Sequence, residues 1–241
     1  MPSERAARPL PVTLVLFDLD GTLADSAGDL ALALNRVRAG RGLPPVPTAQ
    51  LRGYASSGAR GLLHAGMGVT PEQPDFGELR DTFLAHYADC LAETTRLFDG
   101  VDALLTGIEA RGLQWGIVTN KHTRFTLPVV SALQLDQRAA VVVSGDTTPH
   151  PKPHPAPLLH AANALRIAPA ACVYVGDDLR DIEAGQAAGM PTIVAGYGYM
   201  GTAGDPALWP ATGWIDQPLE LLDWLPHLMG GRRPSPLPPL P

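Results

Sequence analysis

Apolar and β-branched residues run together in five short stretches: "VTLVLF" (12–17), "LQWGIVT" (113–119), "AAVVVS" (139–144), "ACVYVG" (171–176) and "PTIVA" (191–195). Continuous runs of this length, without strict alternation, are expected of strands buried on both faces of a parallel sheet. Between them lie segments with helical spacing: "VDALLTGIEARG" (101–112), "FTLPVVSALQL" (125–135), "PAPLLHAANALRI" (155–167) and "DIEAGQAAG" (181–189). Gly112 and Gly189 stand where a left-handed residue would close a helix. Strands alternating with helices predict an α/β fold with a doubly wound parallel sheet.

One interval breaks this rhythm. Between the first run and "LQWGIVT" the chain shows no strand pattern, and the interval is far longer than a single crossover requires. It reads as helices instead: "AGDLALALNRVRAGRG" (27–42), "TAQLRGYASSGARGLLHAGMG" (48–68) and "DFGELRDTFLAHYADCLAETT" (75–95). The organisation expected is a core formed by residues 12–26 and 97–228, with an α-helical domain, residues 27–96, inserted after the first strand. The final "GGRRPSPLPPLP" is rich in proline and poor in bulky apolar residues, so residues 229–241 read as a disordered tail.

Composition narrows the function classes. The chain has 241 residues, enough for a sizeable core, and a formal net charge of −6, which argues against nucleic acid or an anionic membrane as the main partner. No apolar run reaches membrane-spanning length, and the N-terminus lacks a small-residue cleavage site. The two cysteines, Cys90 and Cys172, sit in unrelated patterns and suggest no disulfide framework. A cytoplasmic protein acting on a small molecule is the expectation.

The chemistry lies where the strands end. In an open parallel sheet, ligands bind beyond the carboxyl ends of the strands. The first run ends in "DLDGT", bringing Asp18, Asp20 and Gly21; the second delivers Thr119, Asn120 and Lys121. "HPKPHP" places Lys152 after the third, and "GDDLRD" places Asp177, Asp178 and Asp181 after the fourth. Carboxylates crowded at one edge call for a cation, and oxygen-only ligands point to Mg²⁺. A hydroxyl (Thr119) and an ammonium (Lys152) at the same edge suit a phosphoryl group. Asp18 then reads as a nucleophile able to form an acyl phosphate. Asp20, two residues on and facing the same side, reads as general acid and then base. Gly21 frees the backbone to turn sharply.

"DLDGT", "VTN", the isolated lysine and "GDDLRD", in that order, resemble the four motifs of the haloacid dehalogenase superfamily, and the inserted helices resemble its helical cap. The resemblance spans nearly all of residues 12–228 and implies a Rossmann-like, three-layer core carrying the cap. It further implies that Asp18, the Asp20 backbone carbonyl and Asp177 hold Mg²⁺, that Thr119 binds the phosphoryl group, and that Lys152 neutralises charge. Asp181 would act through water or as a support to Lys152, with Gly21 and Asn120 beside the phosphate. Within the superfamily the chain is similar to the phosphoglycolate phosphatase group, and in "LRGYASSGARGL", "LQWGIVTNKHTRF" and "GYGY" to its N-acetylmuramic acid 6-phosphate phosphatases. The substrates implied are N-acetylmuramic acid 6-phosphate first and 2-phosphoglycolate second. Both carry a carboxylate, for which Arg60 in the cap is the expected partner, with Arg52 next and Ser57 beside them; a solvent-exposed helix connection explains the same residues. Three rivals stay open: a phosphomutase, which shares every core motif, a 2-haloacid dehalogenase, and a non-catalytic binding protein.

Overall fold

The computed structural model describes residues 12–228, so the tail expected at 229–241 lies outside the described residues. In chain order the elements are β1 (Leu14–Phe17), β2 (Ala24–Asp25), α1 (Ala27–Gly40), α2 (Thr48–Leu51), α3 (Gly58–Met67), α4 (Phe76–Ala88), β3 (Arg96–Leu97) and α5 (Val101–Ala110). There follow β4 (Gln114–Val118), α6 (Thr123–Ala132), β5 (Val141–Val143), α7 (Ala156–Ala164), β6 (Cys172–Gly176), α8 (Leu179–Ala187), β7 (Thr192–Ala195), β8 (Gly213–Ile215) and α9 (Leu221–Leu228).

Six strands form one parallel sheet in the order β5-β4-β1-β6-β7-β8. Winding runs outward from β1 in both directions, so the topological switch lies beside β1, where its neighbours β4 and β6 diverge. Successive residues of β1 part to opposite faces. Val15 and Phe17 join a cluster with Leu104, Ile108 and Val129, while Leu14 and Leu16 join another with Leu158, Ala161 and Ala184. This strand periodicity divides the core into helix, sheet and helix layers.

The helices α1, α3 and α4 have their own apolar cluster, built on Leu30, Leu34, Leu62, Leu63, Leu79, Phe83 and Tyr87. Phe125 at the start of α6 and Tyr199 after β7 reach into it from the core side. The Tyr199 hydroxyl accepts the N–H groups of Ser26 (2.7 Å) and Ala27 (3.0 Å), donors that the first turn of α1 leaves without helical partners.

Four local expectations need correction. The helical interval is entered and left through a two-stranded antiparallel ladder, β2 with β3, too short to leave a periodic signal. The helix expected over 48–68 is interrupted by a 3₁₀ stretch, Arg52–Ser57, because Gly58 takes the left-handed φ of +57° and breaks the α path. Strand β8, three residues long, and α9, eight residues long with Pro226 inside it, are short elements that the sequence reading did not place.

Candidate active site

The site opens at the switch point, and each group in it is held by its own local geometry. Asp18 follows β1 directly; its N–H donates to Val175 O of β6 (2.9 Å), which continues the parallel ladder past the strand end. Its Oδ1 accepts the Leu19 N–H (2.7 Å) and lies 3.0 Å from Lys152 Nζ. Gly21 adopts φ +88°, and a Cβ there would run into the Asp177 carboxylate. Gly198 on the far side is pressed against Asp177 in the same way. Two glycines therefore form a cradle that lets Asp177 sit beside the β1 turn.

Asp177, at the end of β6, is fully buried. It accepts from Tyr199 N (2.9 Å), Thr22 Oγ1 (3.1 Å) and Ser56 Oγ (3.3 Å), the last contributed by the 3₁₀ stretch of the helical layer. Asp181 stands in the first turn of α8, where its carboxylate accepts the Asp178 N–H in a capping box. Asp18, Asp177 and Asp181 each offer an oxygen lying within 4.8 Å of the others. Lys152, 2% exposed at its side chain, is the ammonium among them and lies 2.8 Å from Asp181 Oδ1. Lys152 pairs with Asp18 and Asp181 and leaves Asp177 without a cation partner among the described residues, a deficit that a divalent, oxygen-seeking ion would balance. Burial, opposed by Lys152 and aided by Asp181 and Asp20, pushes Asp18 up to about 6. Burial and then the charges of Asp18 and Asp181 push Asp177 well above the carboxylate range. Burial alone would depress Lys152, but Asp18 and Asp181 raise it above the ordinary lysine value.

Thr119 is buried at the end of β4, its N–H bonded to Val143 O (2.9 Å). Asn120 clamps the Lys152 backbone, donating to Lys152 O (2.9 Å) and accepting from Lys152 N (2.9 Å). Its place is a brace that carries Lys152 across to the β4 loop. Asp178, left out of the metal shell by the sequence reading, caps α8 and pairs with Arg180 at 2.8 Å.

A pocket of about 320 Å³ joins Asp18, Asp20, Thr119, Asn120, Lys152 and Asp181 to the helical layer. Ser57 is among its lining residues; Arg60 and Arg52 are not. Arg60 is exposed and borders a separate outer cleft with His64, Thr70 and Glu72. Arg52 bonds both oxygens of Asp25 at 3.0 Å and lies 5.0 Å from the centre of the Tyr199 ring, in a cleft of its own. In this arrangement neither arginine lines the pocket that holds Asp18 and Lys152. Which way a residue of the helical layer faces depends on how its 3₁₀ turn docks, and that is a tertiary fact.

Three groups were missed or misjudged. Lys121, which a surface turn would have explained, is buried against Asp20 and Tyr87. Tyr174 inside β6, which the sequence reading does not single out, has its hydroxyl against Lys152 Nζ (2.7 Å) and Val118 O (2.8 Å). A tyrosine in an otherwise apolar central strand was the available signal, since a buried hydroxyl must find a partner. Tyr199, in the loop after β7, supplies the N–H that holds Asp177.

The haloacid dehalogenase-like hydrolase family model matches residues 15–195, which hold all of these strand-end groups. The chain belongs to that family. It is 43% identical over 211 residues to the N-acetylmuramic acid 6-phosphate phosphatase of Pseudomonas aeruginosa, covering 88% of this chain and 93% of that protein. It is also 43% identical, over 88% of this chain and 95% of the relative, to a phosphoglycolate phosphatase of Xanthomonas campestris pv. campestris. Among solved structures it superposes on a predicted phosphoglycolate phosphatase from Haemophilus somnus with a TM-score of 0.77, at 27% identity over 88% of this chain and 97% of that one. As an enzyme of the haloacid dehalogenase-like family with phosphatases this similar, it is a phosphoric monoester hydrolase. No helix among the described residues is long and apolar enough to cross a membrane.

Proposed function

We propose that this hydrolase is a Mg²⁺-dependent phosphomonoesterase that works through an aspartyl phosphate on Asp18, beneath a helical cap formed by α1–α4. The observation that carries the reading is the cluster of three carboxylates within 4.8 Å of one another at the switch point, two of them paired with the Lys152 ammonium. Side chains of Asp18 and Asp177 and the Asp20 backbone carbonyl would hold the ion. When bound, it would screen the phosphoryl oxygens and lower the barrier to attack by an anion.

Leu19 N and Lys152 both engage Asp18 Oδ1, which leaves Oδ2 as the attacking oxygen. Oδ2 bonds to phosphorus as the ester oxygen leaves, taking a proton from the Asp20 carboxyl. Water then attacks phosphorus and gives its proton to Asp20, and the P–Oδ2 bond breaks to release inorganic phosphate. Lys152 and Thr119 hold the phosphoryl oxygens while their charge is redistributed. The Asp181 carboxylate and the Tyr174 hydroxyl keep the Lys152 ammonium in place.

The substrate is a small phosphorylated metabolite, with N-acetylmuramic acid 6-phosphate ranked first. Its support is kinship together with the pocket's apolar wall of Leu30, Ala55, Phe83, Leu84 and Phe125. A sugar ring with its acyl and lactyl arms has apolar surface to lay against that wall; 2-phosphoglycolate offers a single methylene. The glycolate ester ranks second because phosphoglycolate phosphatases are equally similar in sequence. The test is phosphate release from each ester, with and without EDTA. A higher kcat/KM for the sugar phosphate, lost on chelation, is expected. Activity untouched by EDTA would overturn the metal, and a higher kcat/KM for 2-phosphoglycolate would reverse the ranking.

A further inference from the structure

Lys121 lies in the turn after β4, where a lysine ordinarily extends into solvent. Here only 7% of its side chain is exposed. The ammonium donates to Asp20 Oδ1 (3.1 Å), to Asp20 Oδ2 (3.0 Å) and to the Tyr87 hydroxyl of α4. It also stands 4.7 Å from the centre of the Tyr87 ring. Its three N–H groups thus meet three acceptors, two of them on one carboxylate.

Burying a second ammonium is costly, and here the cost is offset by its pairing with Asp20. Lys152 is accounted for by Asp18 and Asp181. Lys121 touches neither, and its partners are the candidate general acid and a residue of the helical layer. Gripping both oxygens fixes the plane of the Asp20 carboxylate. Ser26 Oγ, which also donates to Oδ1, holds one oxygen alone and would let the group swing about it. Tyr87 in turn is packed between Phe83 and Phe125, with ring centres 6.3 and 5.3 Å away. Displacing α4 would remove one acceptor and the aromatic wall that keeps water from the ammonium.

Building on the phosphomonoesterase reading above, we propose that Lys121 is a positioning residue that aims the Asp20 carboxyl at the leaving oxygen, and that Tyr87 makes this aim depend on α4 being seated over the site. Lys121 acts on the reaction through Asp20 and needs no contact with substrate. An error of about 1 Å in such a group can cost on the order of 10²-fold in rate.

The test compares kcat/KM, which reports steps up to departure of the leaving group, for two esters. One is a simple alkyl phosphate, whose alkoxide must be protonated as it leaves. The other is 4-nitrophenyl phosphate, whose phenolate leaves without that help. Lys121→Met should lose on the order of 10²-fold on the alkyl ester and less than about threefold on the aryl ester. Tyr87→Phe keeps the ring stack but removes the acceptor, and should show the same selective loss at about a tenth of that size. Competitive inhibition by inorganic phosphate should be unchanged in both variants, which reports an intact fold and phosphate site. Equal losses on the two esters, or none on either, would overturn the aiming role. A Tyr87→Phe enzyme indistinguishable from wild type would overturn its link to α4. A wild-type protein inert to both esters would instead overturn the phosphatase reading, and the aiming role with it.

Discussion

Asp29 on α1 and Asp177 at the end of β6 are both wholly buried, and both accept several hydrogen bonds. Asp29 takes the Thr94 N–H (2.7 Å) and Thr94 hydroxyl on one oxygen, and the Thr95 N–H (3.1 Å) and Thr95 hydroxyl on the other. It ties α1 to the segment that leads from α4 back to β3. Asp177 takes one N–H and two hydroxyls, but it also faces Asp18 and Asp181. At such spacing and an effective dielectric near 20, each like-charged pair costs roughly 3 kcal/mol. A typical hydrogen bond returns only about 1 kcal/mol. Hydrogen bonding therefore does not separate a structural carboxylate from a functional one. What separates them is the like-charge repulsion that Asp177 meets from Asp18 and Asp181 and that Asp29 does not meet.

Mutating the two regions should break activity in one and stability in the other. Asp18→Asn keeps the shape of the side chain but cannot attack phosphorus, so kcat should fall roughly 10³-fold or more. A rate within tenfold of wild type would remove Asp18 from the mechanism and erase the contrast.

The second expectation is a difference in pH response. Asp29→Ala strands four donors and should cost about 3 kcal/mol in urea unfolding, with or without metal. The repelling trio behaves otherwise. Asp18 and Asp177 are raised in the folded state, so the unfolded chain releases these protons first as pH increases. The Asp18 contribution to stability is complete below about pH 4 and is lost as pH rises through about 6, and the Asp177 contribution is lost in the same direction. Metal-free protein should then unfold at lower urea near pH 7 than near pH 5, and Mg²⁺ should restore more stability at the higher pH. Asp177→Asn should reduce this pH dependence. A metal-free midpoint that is flat across the range would refute the crowding.

The smallest effect expected is at Arg60. It faces the outer cleft, so Arg60→Ala should change kcat/KM for acidic substrates by no more than about twofold, the scale of an ordinary surface substitution. A selective loss on carboxylate-bearing esters would mean that α3 turns toward the pocket during turnover.

How far each part was legible follows from the range of the interactions involved. Asp18, Thr119 and Asp177 could be read as one site because β periodicity places each at a strand end, and a parallel sheet collects its strand ends along one edge; Lys152 joins them from the loop between β5 and α7. The inserted helices were equally readable, since helical spacing is local. The sequence by itself thus determined the fold class, the alternation of the main strands and helices, and the crowding of charge at one edge of the sheet.

Tertiary structure decided the rest. Lys121 reaches Asp20 across 101 residues and Tyr87 across 34. Tyr199 supplies an N–H to Asp177 and a hydroxyl acceptor to α1 from a loop that reads as ordinary packing. Arg52 and Arg60 were turned away from the site by a 3₁₀ break whose direction no local pattern encodes. The physical reason is common to all of them: spacing along the chain sets which face of its own element a residue occupies, whereas the partner it meets depends on how separate elements pack.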